Sequence, residues 1–180
     1  SLKEKKTIWS EALSVDESKK ILEHLKDFNV IPMINDDEYM YVEDVFNNIV
    51  ISNGEKVNII EYESRGGNFK LCEQQDLSDF VNNPLFKLLV VGDEEYLKKN
   101  YEAMQEPFAS LHTCDFTGPV YFEYTSKHAD KGKAFEVLAD HLNIAKKDAV
   151  AFGDGMNDMI LLNAVGTAVA MENAVKDLKQ

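Results

Sequence analysis

The run Ala149-Val150-Ala151-Phe152-Gly153-Asp154-Gly155-Met156-Asn157-Asp158 decides how this chain is read. Its first four residues are apolar and short enough to be a buried strand. Asp154 follows between two glycines, and Asp158 comes four residues later with Asn157 beside it. Met159-Ile160-Leu161-Leu162 then continues as a helix-like stretch. Carboxylates at the carboxyl end of a strand in an α/β sheet stand where such folds hold ligands. Hard oxygen ligands there suit Mg²⁺, which takes one or two protein carboxylates together with water and substrate phosphate. The loop therefore points to a metal and a phosphate.

Around this loop, strands alternate with helices. Residues 131–143 read as a helix with Ala134, Phe135, Leu138, Ala139 and Leu142 on one face. Strands are expected at 148–152 and 167–171, and helices at 156–163 and 174–179. That alternation implies parallel pairing and a Rossmann-like sheet. Upstream the pattern differs. A helix at 14–28 opens with Ser14 as cap and Glu17 three residues on. Strands are expected at 30–34, 39–42, 48–51, 57–62, 69–72, 86–91, 109–114 and 120–124. Asn53-Gly54 is a hairpin turn signal. Short and long helices are expected at 77–81 and 94–104. The reading is an α+β module with an antiparallel sheet over 1–124, followed over 125–180 by part of a Rossmann-like α/β core.

Composition narrows the partners. The 180 residues carry 32 acidic against 19 basic side chains, a net charge of −13, and no basic cluster, which argues against a nucleic-acid backbone. No apolar run approaches the ~20 residues that span a bilayer, and no secretory signal opens the chain. Cys72 and Cys114 lie far apart without metal spacing and read as reduced thiols of a cytoplasmic protein. His24, His112, His128 and His141 show no ligand spacing and read as surface or partly buried histidines. The acidic stretch 35–38 reads as a solvated turn.

Two features together resemble one family. Asp130-Lys131-Gly132-Lys133-Ala134 opens a helix, and Phe152-Gly153-Asp154-Gly155-Met156-Asn157-Asp158 follows one helix and one strand later. This resembles the haloacid dehalogenase-like superfamily, in particular its Cof-like sugar-phosphatase branch. The stretch 163–174, Asn-Ala-Val-Gly-Thr-Ala-Val-Ala-Met-Glu-Asn-Ala, looks like that branch too. So does the α+β module, which is similar to the cap these enzymes carry over their active site.

The resemblance implies phosphoryl transfer from small phosphate esters, such as sugar phosphates, through an aspartyl-phosphate. It assigns Asp154 to the Mg²⁺ and Asp158 to the same metal site, directly or through water. Asn157 and Lys131 fall to the substrate phosphate, and Lys131, Asp154 and Asp158 form the catalytic set. The chemistry suits these types, because charge on a transferring phosphoryl group is stabilised by a cation and a metal. Lys131 at a helix start would add to the positive end of that helix. Lys133 competes for this role, but Lys131 directly precedes Gly132, as the family pattern asks. Gly153 and Gly155 are expected to allow a tight turn and a close approach of backbone to ligand.

One departure matters. The family's nucleophile lies in an Asp-X-Asp-Gly-Thr run, and the 180 residues contain none. The chain opens Ser1-Leu2 without Met, about where the cap would begin. It therefore reads as a fragment that is inactive alone, with an open strand edge at 149–152 that favours self-association. A competing reading is a non-catalytic member that binds a phosphorylated metabolite or a protein. The phosphorylation domain of a cation-pumping ATPase shares the Gly-Asp-Gly run, but those chains carry transmembrane helices and differ after the aspartate.

Overall fold

Leu88-Leu89-Val90-Val91 is apolar at every position because it is covered on both faces. The structure, a computed structural model, describes residues 6–179. It divides into two compact units, one formed by Ala12–Lys127 and the other by the chain from His128 onward with the segment up to Glu11.

The Ala12–Lys127 unit is built on a six-stranded sheet in the order β5-β2-β1-β6-β8-β7. The strands are β1 (Ile31–Asn35), β2 (Tyr39–Val42), β5 (Lys70–Glu73), β6 (Leu88–Val91), β7 (His112–Gly118) and β8 (Tyr121–Ser126). A separate hairpin joins β3 (Ile49–Ser52) to β4 (Glu55–Asn58). Helices α1 (Val15–Leu25), α2 (Ile59–Gly66), α3 (Leu77–Phe80) and α4 (Glu94–Gln105) complete the unit. Leu88 and Val90 point to one face, where Ile21, Leu25, Leu77, Leu97 and Met104 from α1, α3 and α4 cover them. Leu89 and Val91 point to the other, against Val50, Ile59 and Ile60 from the hairpin and α2.

The helix start at Ser14 forms as its sequence requires. Ser14 Oγ accepts from Glu17 N–H, and the Glu17 carboxylate accepts from Ser14 N–H at 2.7 Å. Ser14→Ala is expected to cost about 1 kcal/mol, read from the midpoint of urea unfolding. The Asn53-Gly54 turn takes positive φ at both residues, 52° and 80°, which is the hairpin geometry the dipeptide favours. Asp36 closes the 35–38 turn by accepting from the Glu38 and Tyr39 N–H groups.

Several expectations are corrected. The strand expected at 57–62 ends at Asn58, and α2 begins at Ile59. Asn58 caps that helix by accepting from Glu61 N–H at 3.1 Å, an Asn-X-X-Glu start signal that prevails over the strand propensity of the neighbouring β-branched residues. The strand expected from 109 begins at His112, because residues 105–111 close α4 in turns held by carbonyls such as those of Gln105 and Phe108. β5 pairs in parallel with β2, so the sheet is mixed rather than wholly antiparallel. His112, read as surface or partly buried, is fully buried and packed against Phe108. Cys72 and Cys114 lie on β5 and β7, the two edges of the sheet, and are unpaired. Burial pushes the Cys114 thiol up to about 11.

The second unit holds α5 (Lys131–Leu142), β9 (Val150–Gly153), α6 (Met159–Ala164) and β10 (Thr167–Ala170). β9 and β10 pair in parallel, with Gly153 opposite Ala170. Ala151, Leu162, Ala174 and Leu178 form its core. The apolar face read for α5 is only partly used. Ala139 is buried, whereas Leu138 and Leu142 are 45% and 53% exposed. Val150 and Phe152 on β9 are exposed as well. Residues 174–179 form only a 3₁₀ turn at Lys176–Lys179, not an α-helix. No helix among the described residues is long and apolar enough to cross a membrane.

Candidate active site

The parallel strand β9 ends at Gly153 and delivers Asp154 to the end of the sheet. A 3₁₀ turn at Met156–Asp158 then turns the chain into α6. This turn folds the Asp158 side chain back under the loop that precedes it. Its Oδ2 accepts from the N–H groups of Asp154 at 3.0 Å and Gly155 at 3.2 Å. Its Oδ1 accepts from Lys131 Nζ. Asp158 is only 7% exposed, so this is a held carboxylate and not a solvated surface group.

The glycines are explained by space rather than by backbone twist. Gly155 has φ −114°, a conformation open to any residue. A Cβ on Gly153 would stand 2.6 Å from the Asp158 Cβ, so the glycine is what lets Asp158 reach the loop amides. Gly132 has the same kind of role on α5. A Cβ there would meet Ile160 Cγ2 at 2.5 Å and its carbonyl oxygen at 3.0 Å. With hydrogen in that place, the start of α5 lies against α6, and Lys131 reaches Asp158. Asp130 caps α5 by accepting from Lys133 N–H at 2.7 Å. Lys133 itself reaches Glu136, at 3.7 Å, so of the two lysines it is Lys131 that joins the loop.

Lys131 first, and then the Asp154 N–H, push the Asp158 carboxyl down to about 2. An unfolded aspartate titrates near 3.9. The folded value lies below the unfolded one, so the stabilisation is complete above about pH 4 and is lost as the pH falls toward 2. The expected result is a loss of about 1–2 kcal/mol over that window, because the solvent reaching half-exposed Lys131 weakens the pair. Asp158→Asn should flatten this part of the curve in urea titrations run at successive pH values.

Asp154 has an exposed carboxylate. Its Oδ2 accepts from Asn173 Nδ2 at 3.1 Å. Its carbonyl accepts from Val175 N–H at 3.0 Å. Its Oδ1 accepts no hydrogen bond among the described residues, so a hard anionic oxygen faces outward. Asn157 is exposed on the adjacent turn. Among the described residues, no group of three or more His, Cys, Asp or Glu could hold a metal. The donor set fits Mg²⁺, which is commonly bound through one or two protein carboxylates and completed by water and phosphate. It does not fit a metal caged by protein alone.

A family model described as haloacid dehalogenase-like hydrolase matches residues 1–180. The chain belongs to that family. An HMP-PP phosphatase of Yersinia pseudotuberculosis is 31% identical over 122 residues, covering 68% of this chain and 44% of the relative. A crystal structure of a Thermotoga maritima protein is 30% identical with a TM-score of 0.77, covering 98% of this chain and 62% of that one. A haloacid dehalogenase-like hydrolase from Bacteroides thetaiotaomicron superposes with a TM-score of 0.84 at 19% identity, over 98% of this chain and 63% of the other. The aligned region thus spans less than half the length of the curated relative.

Within this haloacid dehalogenase-like chain, Lys131, Asp154 and Asp158 meet around one loop, and Asn157 stands beside it. One participant has no assigned role in the sequence reading. Asn173 lies within the quoted stretch 163–174, yet its contact with Asp154 depends on how β10 is registered against β9. The signal that could have found it was the parallel pairing itself, which brings the residues after Ala170 alongside those after Gly153.

Proposed function

We propose that this chain contributes part of the catalytic centre of a Mg²⁺-dependent phosphatase acting on small phosphate esters, sugar phosphates or similar. The observation that carries the reading is the Lys131–Asp158 pair locked beneath the Asp154 loop. In this reading Asp154 presents Oδ1 to the metal. Lys131 faces the phosphoryl oxygens while Asp158 holds its ammonium in place, and Asn157 binds a further phosphate oxygen. A bound Mg²⁺ supplies positive charge at the phosphoryl group, where negative charge spreads during transfer. The Ala12–Lys127 unit acts as the cap that selects the organic part of the substrate. Reduced, separated thiols support a cytoplasmic setting.

A covalent aspartyl-phosphate requires an attacking carboxylate. The 180 residues hold no Asp-X-Asp-Gly-Thr run, so by themselves they should not turn over. The test compares an aryl phosphate assay with Mg²⁺ on these 180 residues and on a polypeptide of the relatives' full length carrying them. Turnover by the longer polypeptide alone supports the proposal. Turnover by the 180 residues that disappears in Asp154→Ala would overturn the need for a further carboxylate. No turnover by either would favour a binding module.

A further inference from the structure

We infer that Asn173 is a positioning residue: its amide fixes one oxygen of the Asp154 carboxylate, so that the other oxygen alone is presented to the cation. The inference rests on the reading of Asp154 as the metal ligand. An exposed aspartate at a loop tip would otherwise sample several rotamers. Here Asn173 Nδ2 donates to Oδ2 at 3.1 Å. The orientation of the amide is settled by chemistry, because an ionised carboxylate only accepts and the amide oxygen cannot face it.

Asn173 is itself held on both sides. Met171 N–H donates to the Gly153 carbonyl at 2.9 Å, and Val175 N–H donates to the Asp154 carbonyl at 3.0 Å. Between them Ala174 N–H closes a turn on the Met171 carbonyl at 3.0 Å, and the Ala174 side chain is buried with Leu162 and Leu178. The turn that carries Asn173 is therefore stitched to the loop that carries Asp154. An amide is neutral, so it orients Asp154 without cancelling its charge, as a lysine in that place would. The consequence is one-oxygen coordination by Asp154, with Oδ2 reserved for Asn173.

The test is Mn²⁺ binding, followed by electron paramagnetic resonance titration of the 180-residue chain, with hydrogen exchange at the Met171 and Val175 amides as a control on the turn. Asp154→Asn should weaken binding by about a hundredfold and Asn173→Ala by about tenfold. Both amides should keep their protection. Asn173→Gln, which retains the donor on a longer arm, should recover most of the affinity. Unchanged or tighter binding by Asn173→Ala with an intact turn would overturn the inference. If Asn173→Ala loses the turn, Asn173→Gln decides, and binding no better than that of alanine overturns it. Mn²⁺ binding absent from the unaltered chain, or indifferent to Asp154→Asn, would instead remove Asp154 as the ligand and leave the Asn173 contact a structural one.

Discussion

Asp154→Asn is expected to lower kcat for aryl phosphate hydrolysis by about a thousandfold in a polypeptide of the relatives' length, while leaving the fold in place. The size follows from the proposed role of Asp154, because the substitution would remove an anionic metal ligand from a reaction whose barrier is lowered mainly by charge. The stability cost should be small, about 0.5 kcal/mol or less, because the side chain is exposed. Asparagine also keeps a carbonyl that can accept from Asn173. Asp158→Asn differs in kind. It removes charge from a buried group that holds Lys131 and two loop amides, so activity and stability at neutral pH should fall together, while the acid dependence flattens. Kinetics and thermal melting of the two variants separate a ligand from a supporting carboxylate.

The largest expected stability effect comes from a residue with no chemistry. Gly166 lies just before β10, and its N–H donates to the Lys146 carbonyl at 2.8 Å. A Cβ there would stand 2.1 Å from the Lys147 carbonyl oxygen and 2.5 Å from its carbonyl carbon. Those are backbone atoms and cannot rotate away. Gly166→Ala must therefore push β10 off its register with β9, at a cost of about 3 kcal/mol or more. The apolar core of this unit is small, built on Ala151, Leu162, Ala174 and Leu178. The loss should appear as a large drop in the urea midpoint and as fast hydrogen exchange at 167–170. Gly155→Ala is the control. Its Cβ would meet only the Asn157 side-chain oxygen, at 2.7 Å, and that group can swing aside.

What could be read from the sequence and what could not follow a physical line. Lys131, Asp154, Asn157 and Asp158 lie in two short contiguous stretches, where local spacing already constrains geometry. Asn173 escaped because its partner is set by strand register rather than by nearby residues. The space-keeping roles of Gly132 and Gly153 escaped for the same reason, since only packing shows what a methyl group would strike. In the Ala12–Lys127 unit, an unbroken apolar run located β6 because that strand is covered on both faces. The Asn58 cap won over β-branched propensity at α2, as a capping hydrogen bond can when the following isoleucines still find the core. The exposure of Leu138 and Leu142 could not be read at all, because helical periodicity shows which residues share a face but not what lies opposite.

The most direct measurement is an amide NMR spectrum of the 180-residue chain titrated with Mn²⁺. Paramagnetic broadening should begin at Asp154 and Gly155, extend to Lys131, Asn157 and the Asn173 side-chain amide, and vanish in Asp154→Asn. Broadening that leaves this loop sharp and centres on other acidic residues, such as Asp93–Glu95 or Asp76–Asp79, would contradict the account.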